Sequence, residues 1–182
     1  MPDVSELRAQ LKKLEDVIRL KLPEVATLIS LSAKAFAERN IKERGFGAVY
    51  SANPLPSWFF LGKELNKTGE TFILGRIKQK QETTWGEFRA AQGLPNEHVD
   101  LTYSGTMWAS MQPQEPFESN GVFYAPLAGG NRQTQDEMNW NFERYGDFVG
   151  KALTPENFKA LLQAAYDELI QIIDESGIKL IR

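Results

Sequence analysis

The apolar positions of the first forty residues follow a helical rhythm. Leu7, Leu11, Leu14 and Ile18 recur at steps of four and three, which predicts a short amphipathic helix over 3–20. Asp3 and Glu6 have the spacing of a capping box. Pro23 suits the first turn of a second helix, whose stripe would be Val25, Leu28, Ile29, Ser32 and Phe36. Lys42 and Arg44 complement the negative end of its dipole, and Gly45 is a natural stop. The clearest helix comes last. Thr154 caps it, Pro155 opens it, Gly177 closes it, and Phe158, Leu161, Leu162, Ala165, Leu169, Ile172 and Ile173 form its apolar stripe. Stripes of this kind belong to cores and helix–helix packing.

Between Gly45 and Asn96 no period is sustained. Residues 67–70 read as a turn, Thr71–Leu74 as a short strand, and residues 83–91 as a helix capped by a threonine. Val99, Leu101 and Tyr103 alternate with polar residues, predicting a strand broken at Ser104-Gly105. Residues 106–111 read as helical or extended. The pair Asn120-Gly121 predicts a turn into a strand over 121–125. Residues 127–131 read as a loop, and 134–145 as a polar segment compatible with a helix. The expectation is an α+β fold in a single domain, 1–182. N-terminal helices and a long C-terminal helix would pack on a small antiparallel sheet, with an extended arm or insertion over 46–82.

Composition narrows the chemistry. Of 182 residues 42% are hydrophobic and 25% charged, enough for a packed core. There is no cysteine and one histidine, His98, so disulfides, thiolate metal sites and histidine pairs are excluded. Nothing reads as a secretory leader, and no window approaches the ~18 apolar residues of a membrane span. Net charge is −3, but residues 1–92 carry fifteen basic and eleven acidic groups, and residues 93–182 six and thirteen. Unlike halves suit head-to-tail or stacked assembly; two solvated faces without a partner is the plain alternative.

Catalytic motifs do not assemble. Gly62-Lys63 lacks the spacing of a phosphate loop, Gly129-Gly130 lacks the third glycine of a dinucleotide fingerprint, and there is no nucleophile elbow. No cofactor or metal site is expected. His98 follows Leu94-Pro95-Asn96 and reads as a solvated loop histidine. Asp136, Glu137, Glu143, Asp147 and Glu156 read as a solvated acidic surface, a metal-dependent enzyme being the lesser alternative. Arg76, Lys78, Lys80 and Arg89 interleave with Phe72, Trp85 and Phe88, the recipe for a single-strand nucleic-acid binder. Trp58-Phe59-Phe60 beside Pro54 and Pro56 is the sharpest anomaly, because three consecutive aromatics cannot share one side of a strand. They either tuck under the chain's own core or anchor in a neighbouring subunit.

Several segments in order resemble a known family. They are Trp85-Gly86-Glu87-Phe88-Arg89, then Gly93, Val99-Asp100-Leu101 and Ser104 to Met111. Phe123-Tyr124-Ala125, Gly129-Gly130, Glu143 to Val149 and Leu153-Thr154-Pro155-Glu156 follow. This order is similar to that of tailed-phage virion-morphogenesis proteins, the tail-completion, tail-terminator or head–tail joining subunits of the neck. The likeness covers about half the chain, residues 83–175. Met107 replaces the usual leucine, and Leu127-Ala128 replaces a His or Asn before the glycines. The resemblance implies a structural α+β subunit with no catalytic residues. It would form a homo-oligomeric ring, a hexamer as the family expectation and a twelvefold ring nearer the portal. Its partners would be portal or connector and tail-tube or tail proteins, with DNA only passing through the lumen and no membrane. Its place would be the virion neck or tail, after assembly in the host cytoplasm. The expected interface residues are Trp58, Phe59, Phe60, Phe72, Trp85, Phe88, Arg76 and Lys78, with the arm 46–82 carrying much of the intersubunit contact. The alternative function is a nucleic-acid-binding module using residues 72–89.

Overall fold

The structure, a computed structural model, describes residues 4–101 and 105–177. It is α+β, mostly helical, with short antiparallel strand pairs. The chain divides into two compact units: residues 1–39 with 102–182, and residues 40–101.

One helix, α1 (Val4–Arg44), replaces the two expected before Gly45, with Pro23 inside it. The apolar period explains why. Ile18, Leu22, Val25 and Ile29 continue the same steps through the proline, so a break would split a single stripe, buried at Val25 and half-buried on either side. Pro23 forfeits one backbone hydrogen bond. Thr27 donates its hydroxyl to the Pro23 carbonyl one turn on (2.9 Å). Asp3 lies outside the described residues; Glu6 stands in the first turn of α1.

In the first unit, α4 (Thr106–Ser110) leads into β3 (Met111–Pro113), which pairs antiparallel with β6 (Leu127–Gly129). Residues 127–129 are therefore a strand, not the expected loop. Gly129 closes that pair against the start of α5 (Arg132–Tyr145): a Cβ there would sit 2.3 Å from the Gln135 amide. The strand thus needs a residue with weak β propensity, which hides it in the sequence. β4 (Phe117–Ser119) and β5 (Val122–Tyr124) form a hairpin around Asn120 (φ 51°) and Gly121 (φ 77°), the turn that this pair predicts. After α6 (Phe148–Ala152), α7 (Pro155–Glu175) starts at the expected Thr154 cap, which exchanges side-chain hydrogen bonds with Asn157. Trp108, Met111, Met138 and Phe148 are fully buried in this unit. Lys34 donates to the Met111 carbonyl (2.8 Å) and Ser30 to that of Ala125, tying α1 to both strand regions.

In the second unit, β1 (Leu55–Pro56) pairs with β2 (Glu82–Thr83), and a 3₁₀ turn covers Ser57–Gly62. The expected strand at 71–74 is the middle of a helix, α2 (Lys67–Lys78). The Asn66 side chain accepts the Gly69 amide and starts that helix, while Ile73 buries completely on one face, so cap and packing override β propensity. α3 (Trp85–Ala91) carries the expected threonine cap as a full capping box between Thr84 and Glu87. Among the described residues of the expected strand, Val99 donates to the Ala48 carbonyl (3.0 Å) and Leu101 turns to φ 51°. Thr102, Tyr103 and Ser104 lie outside the described residues.

Pro23→Ala restores an amide donor in a continuous helix. Thermal or urea melts should show the chain stabilised by about 1–3 kcal/mol; an unchanged or lowered midpoint would mean that the helix needs the proline's shape.

Candidate interaction surfaces

The 3₁₀ turn settles where each member of the aromatic triplet points. With three residues per turn, Ser57 and Phe60 share the inner side and Trp58 and Leu61 the outer. Ser57 hydrogen-bonds the Gln81 carbonyl and Thr83 Oγ1, both at 2.6 Å, and locks the turn to β2. Phe60 is fully buried, stacked on Phe88 (centroids 4.6 Å) and edge-on to Trp85 (5.2 Å). Such pairs add about 0.5–1.5 kcal/mol each beyond their burial. Phe59 lies partly open against Phe60 and Trp85, with the Lys63 ammonium over both the Phe59 and Trp85 rings. Trp58 is 66% exposed. Of the expected interface aromatics, Phe60 and Phe88 are therefore core, Phe59, Phe72 and Trp85 are half-covered, and Trp58 faces outward beside Leu61.

The expected basic row is divided. Arg89 turns inward, 2% exposed, with its guanidinium on Asp100 (2.6 Å) and on the Pro95 carbonyl (2.8 Å). It also lies over the Tyr50 ring, whose hydroxyl donates to Asp100 (2.8 Å). Arg76 pairs with Glu87 and lies over Phe72. The Thr84 amide donating to Glu87 holds that carboxyl below its usual range, with Arg76 acting in the same direction. Lys78 and Lys80 are exposed. The four cations do not form one phosphate-facing row, which the nucleic-acid reading requires.

His98 is half-buried rather than solvated. Its Nε2 is buried without a hydrogen-bond partner, and the ring packs beneath Gly45, where an added Cβ would come within 2.8 Å. Asp147 caps α6 by accepting the Gly150 amide (2.8 Å). Among the described residues no group of three or more His, Cys, Asp or Glu side chains could hold a metal, and no helix is long and apolar enough to cross a membrane.

Further open apolar surfaces lie among the described residues of the first unit. The first is one flank of α7. Leu161 and Ile172 are buried, but Phe158, Leu162 (72% exposed), Tyr166 and Ile170 repeat once per turn on the open side. The second is the start of α1, where Val4, Leu7 and Leu11 continue the covered stripe of Leu14 into the open. Leu11 also lines an open groove of about 460 Å³ floored by Leu14, Ile18 and Leu22 and walled by Phe123 of the hairpin. Arg19 and Glu118 close its edge in a bidentate pair, both contacts 2.9 Å. The third is the hairpin's outer face, where Phe117 and Tyr124 stack across the strands (centroids 5.4 Å) beside exposed Val122. The signal for the α7 flank is in the sequence: its apolar arc is wider than one core-facing stripe needs.

No protein-family model, no curated protein and no solved structure matches the chain.

Burial raises the Tyr50 hydroxyl well above the ordinary tyrosine range, against the opposing pull of Arg89, and the hydrogen bond to Asp100 adds to the rise. The fold therefore favours the neutral phenol. Its contribution is intact below the unfolded value of about 10 and is lost as pH rises above it. Urea melts across that range should show falling stability, with a shallower fall in Tyr50→Phe. An identical slope in the two proteins would contradict the burial of Tyr50.

Proposed function

We propose that this chain is a structural virion subunit of a tailed phage: a tail-completion or head–tail joining protein that forms a homo-oligomeric ring between connector and tail. The observation that carries the reading is the open apolar surface of each unit: rows along α1, α7 and the hairpin in the first, and Trp58 with Leu61 in the second. Exposed apolar residues scattered singly are ordinary, whereas contiguous rows mark surfaces that meet other macromolecules. The order of motifs over 83–175 supplies the kind of assembly. A ring needs two unlike faces on one subunit, and the uneven distribution of charge along the sequence is compatible with that. Trp58, outward beside Leu61 on a turn anchored by Ser57, has the form of an interface anchor: a large ring on a rigid support.

The test is light scattering and negative-stain imaging of the purified chain, alone and with portal and tail-tube proteins. We expect rings, six- or twelvefold, that bind one or both partners. Trp58→Ser should leave the stability within about 0.5 kcal/mol of the parent but weaken assembly. Phe60→Ala should cost about 3–5 kcal/mol of stability. A chain that stays monomeric with every partner, or a Trp58→Ser variant that assembles as well as the parent, would overturn the reading or its use of Trp58, respectively.

A further inference from the structure

We propose that neighbouring copies join head to tail through helices, the first turns of α1 in one copy lying across the open flank of α7 in the next. This rests on the ring-forming reading above and names a contact that would build the ring.

Both faces are uncovered continuations of stripes that the unit itself buries. On α1 the stripe is covered at Leu14 and Val25 and open at Val4, Leu7 and Leu11. On α7 the buried face of Leu161 and Ile172 adjoins the open row that starts at Phe158. Both rows are open in the single copy, so a second copy can cover them, α1 of one against α7 of the next.

Charge selects the pairing. On a helix of 3.6 residues per turn, Arg8, Lys12 and Arg19 fall on one shoulder of the α1 stripe. Glu156, Asp167 and Asp174 fall on the outer shoulder of the α7 flank. Glu15 shares the α1 shoulder and Lys159 the α7 flank, but the α1 shoulder stays net positive and the α7 shoulder net negative. Packing α1 on α7 therefore joins opposite net charges, whereas α7 on α7 joins two net negative shoulders. Lys12 is engaged by Glu15 and Asp16, and Arg19 by Glu118, which leaves Arg8 as the cation for the neighbour's Asp167. Shape agrees with charge. Leu7 and Leu11 form a ridge at a step of four, as do Phe158, Leu162, Tyr166 and Ile170, the geometry for ridges into grooves. The groove beside Leu11 has room for one of the neighbour's aromatic side chains. Because the two faces differ, the contact is heterologous, and repeated rotation closes it into a ring.

The test uses Leu11→Glu and Leu162→Glu, each purified and sized by light scattering, then mixed one to one, with circular dichroism to check helix content. Each variant alone should associate at least about tenfold more weakly than the parent. The mixture should yield a heterodimer and nothing larger, since only one of its contacts remains intact. If either variant fails to fold, the charge-reversed pair takes its place: Arg8→Glu should weaken association, and a second change, Asp167→Lys, should restore it. Loss in one variant with dimers retained by the other would mean a symmetric contact and overturn the proposal. Parent-sized rings in both would place the contact elsewhere, overturning it while leaving the ring-forming reading intact. A parent that is monomeric with and without portal and tail-tube proteins would overturn both. Rings that obey the mixing rule but bind no phage partner would support this contact and overturn the phage reading alone.

Discussion

Covering α1 is the constraint on which the rest of the structure depends. Its 41 residues extend about 60 Å, roughly twice the span of a small domain. Strand pairs two or three residues long cannot cover a helix of that length. The elements that can reach it do so over its middle, through the hairpin's Phe123, the Arg19–Glu118 pair and the bonds from Ser30 and Lys34. Apolar surface beyond their reach remains open on Val4, Leu7 and Leu11. The hydrophobic effect is proportional to area removed from water, so an uncovered stripe is a standing drive toward association.

The second unit solves a different problem, keeping some aromatics in and one out over a few residues. A strand would alternate them and a loop would leave them loose; the 3₁₀ turn sends Phe60 inward and Trp58 outward at fixed positions. Around that turn the polar groups are satisfied in pairs, Ser57 with Thr83 and Arg89 with Asp100. A buried ion pair adds little net stability, but removing one partner strands the other charge at a cost of about 3–5 kcal/mol. The Arg89–Asp100 pair therefore fixes which way α3 faces, and with it the placement of Trp85 and Phe88 under the turn.

Local chemistry was readable wherever it acts within a few residues. Thr154 with Pro155, Thr84 before Trp85 and Asn120-Gly121 each mark a boundary that the structure keeps. Readings failed where distant packing decides. Pro23 reads as a helix start, yet the stripe on both sides carries the helix through it. Thr71–Leu74 has strand composition, yet Asn66 and the burial of Ile73 make it helical. Gly129 reads as loop because the residue that fits against the α5 backbone must lack a Cβ. The surfaces show the same division. Trp58 was legible as an anomaly, but only the turn's period separates it from Phe60. Arg89 looked like a surface cation because Asp100 is eleven residues away and Tyr50 still further.

The central claim is that the open apolar rows are covered by other copies of the chain. Hydroxyl-radical footprinting at low and high protein concentration tests it most directly, because it reads side-chain solvent access residue by residue. The account predicts that Leu7, Leu11, Leu162, Tyr166 and Trp58 are oxidised readily in dilute protein and protected in the assembled form, while Lys78 and Lys80 change little. Equal oxidation of those apolar residues at all concentrations, with assembly confirmed by sizing in the same samples, would contradict it.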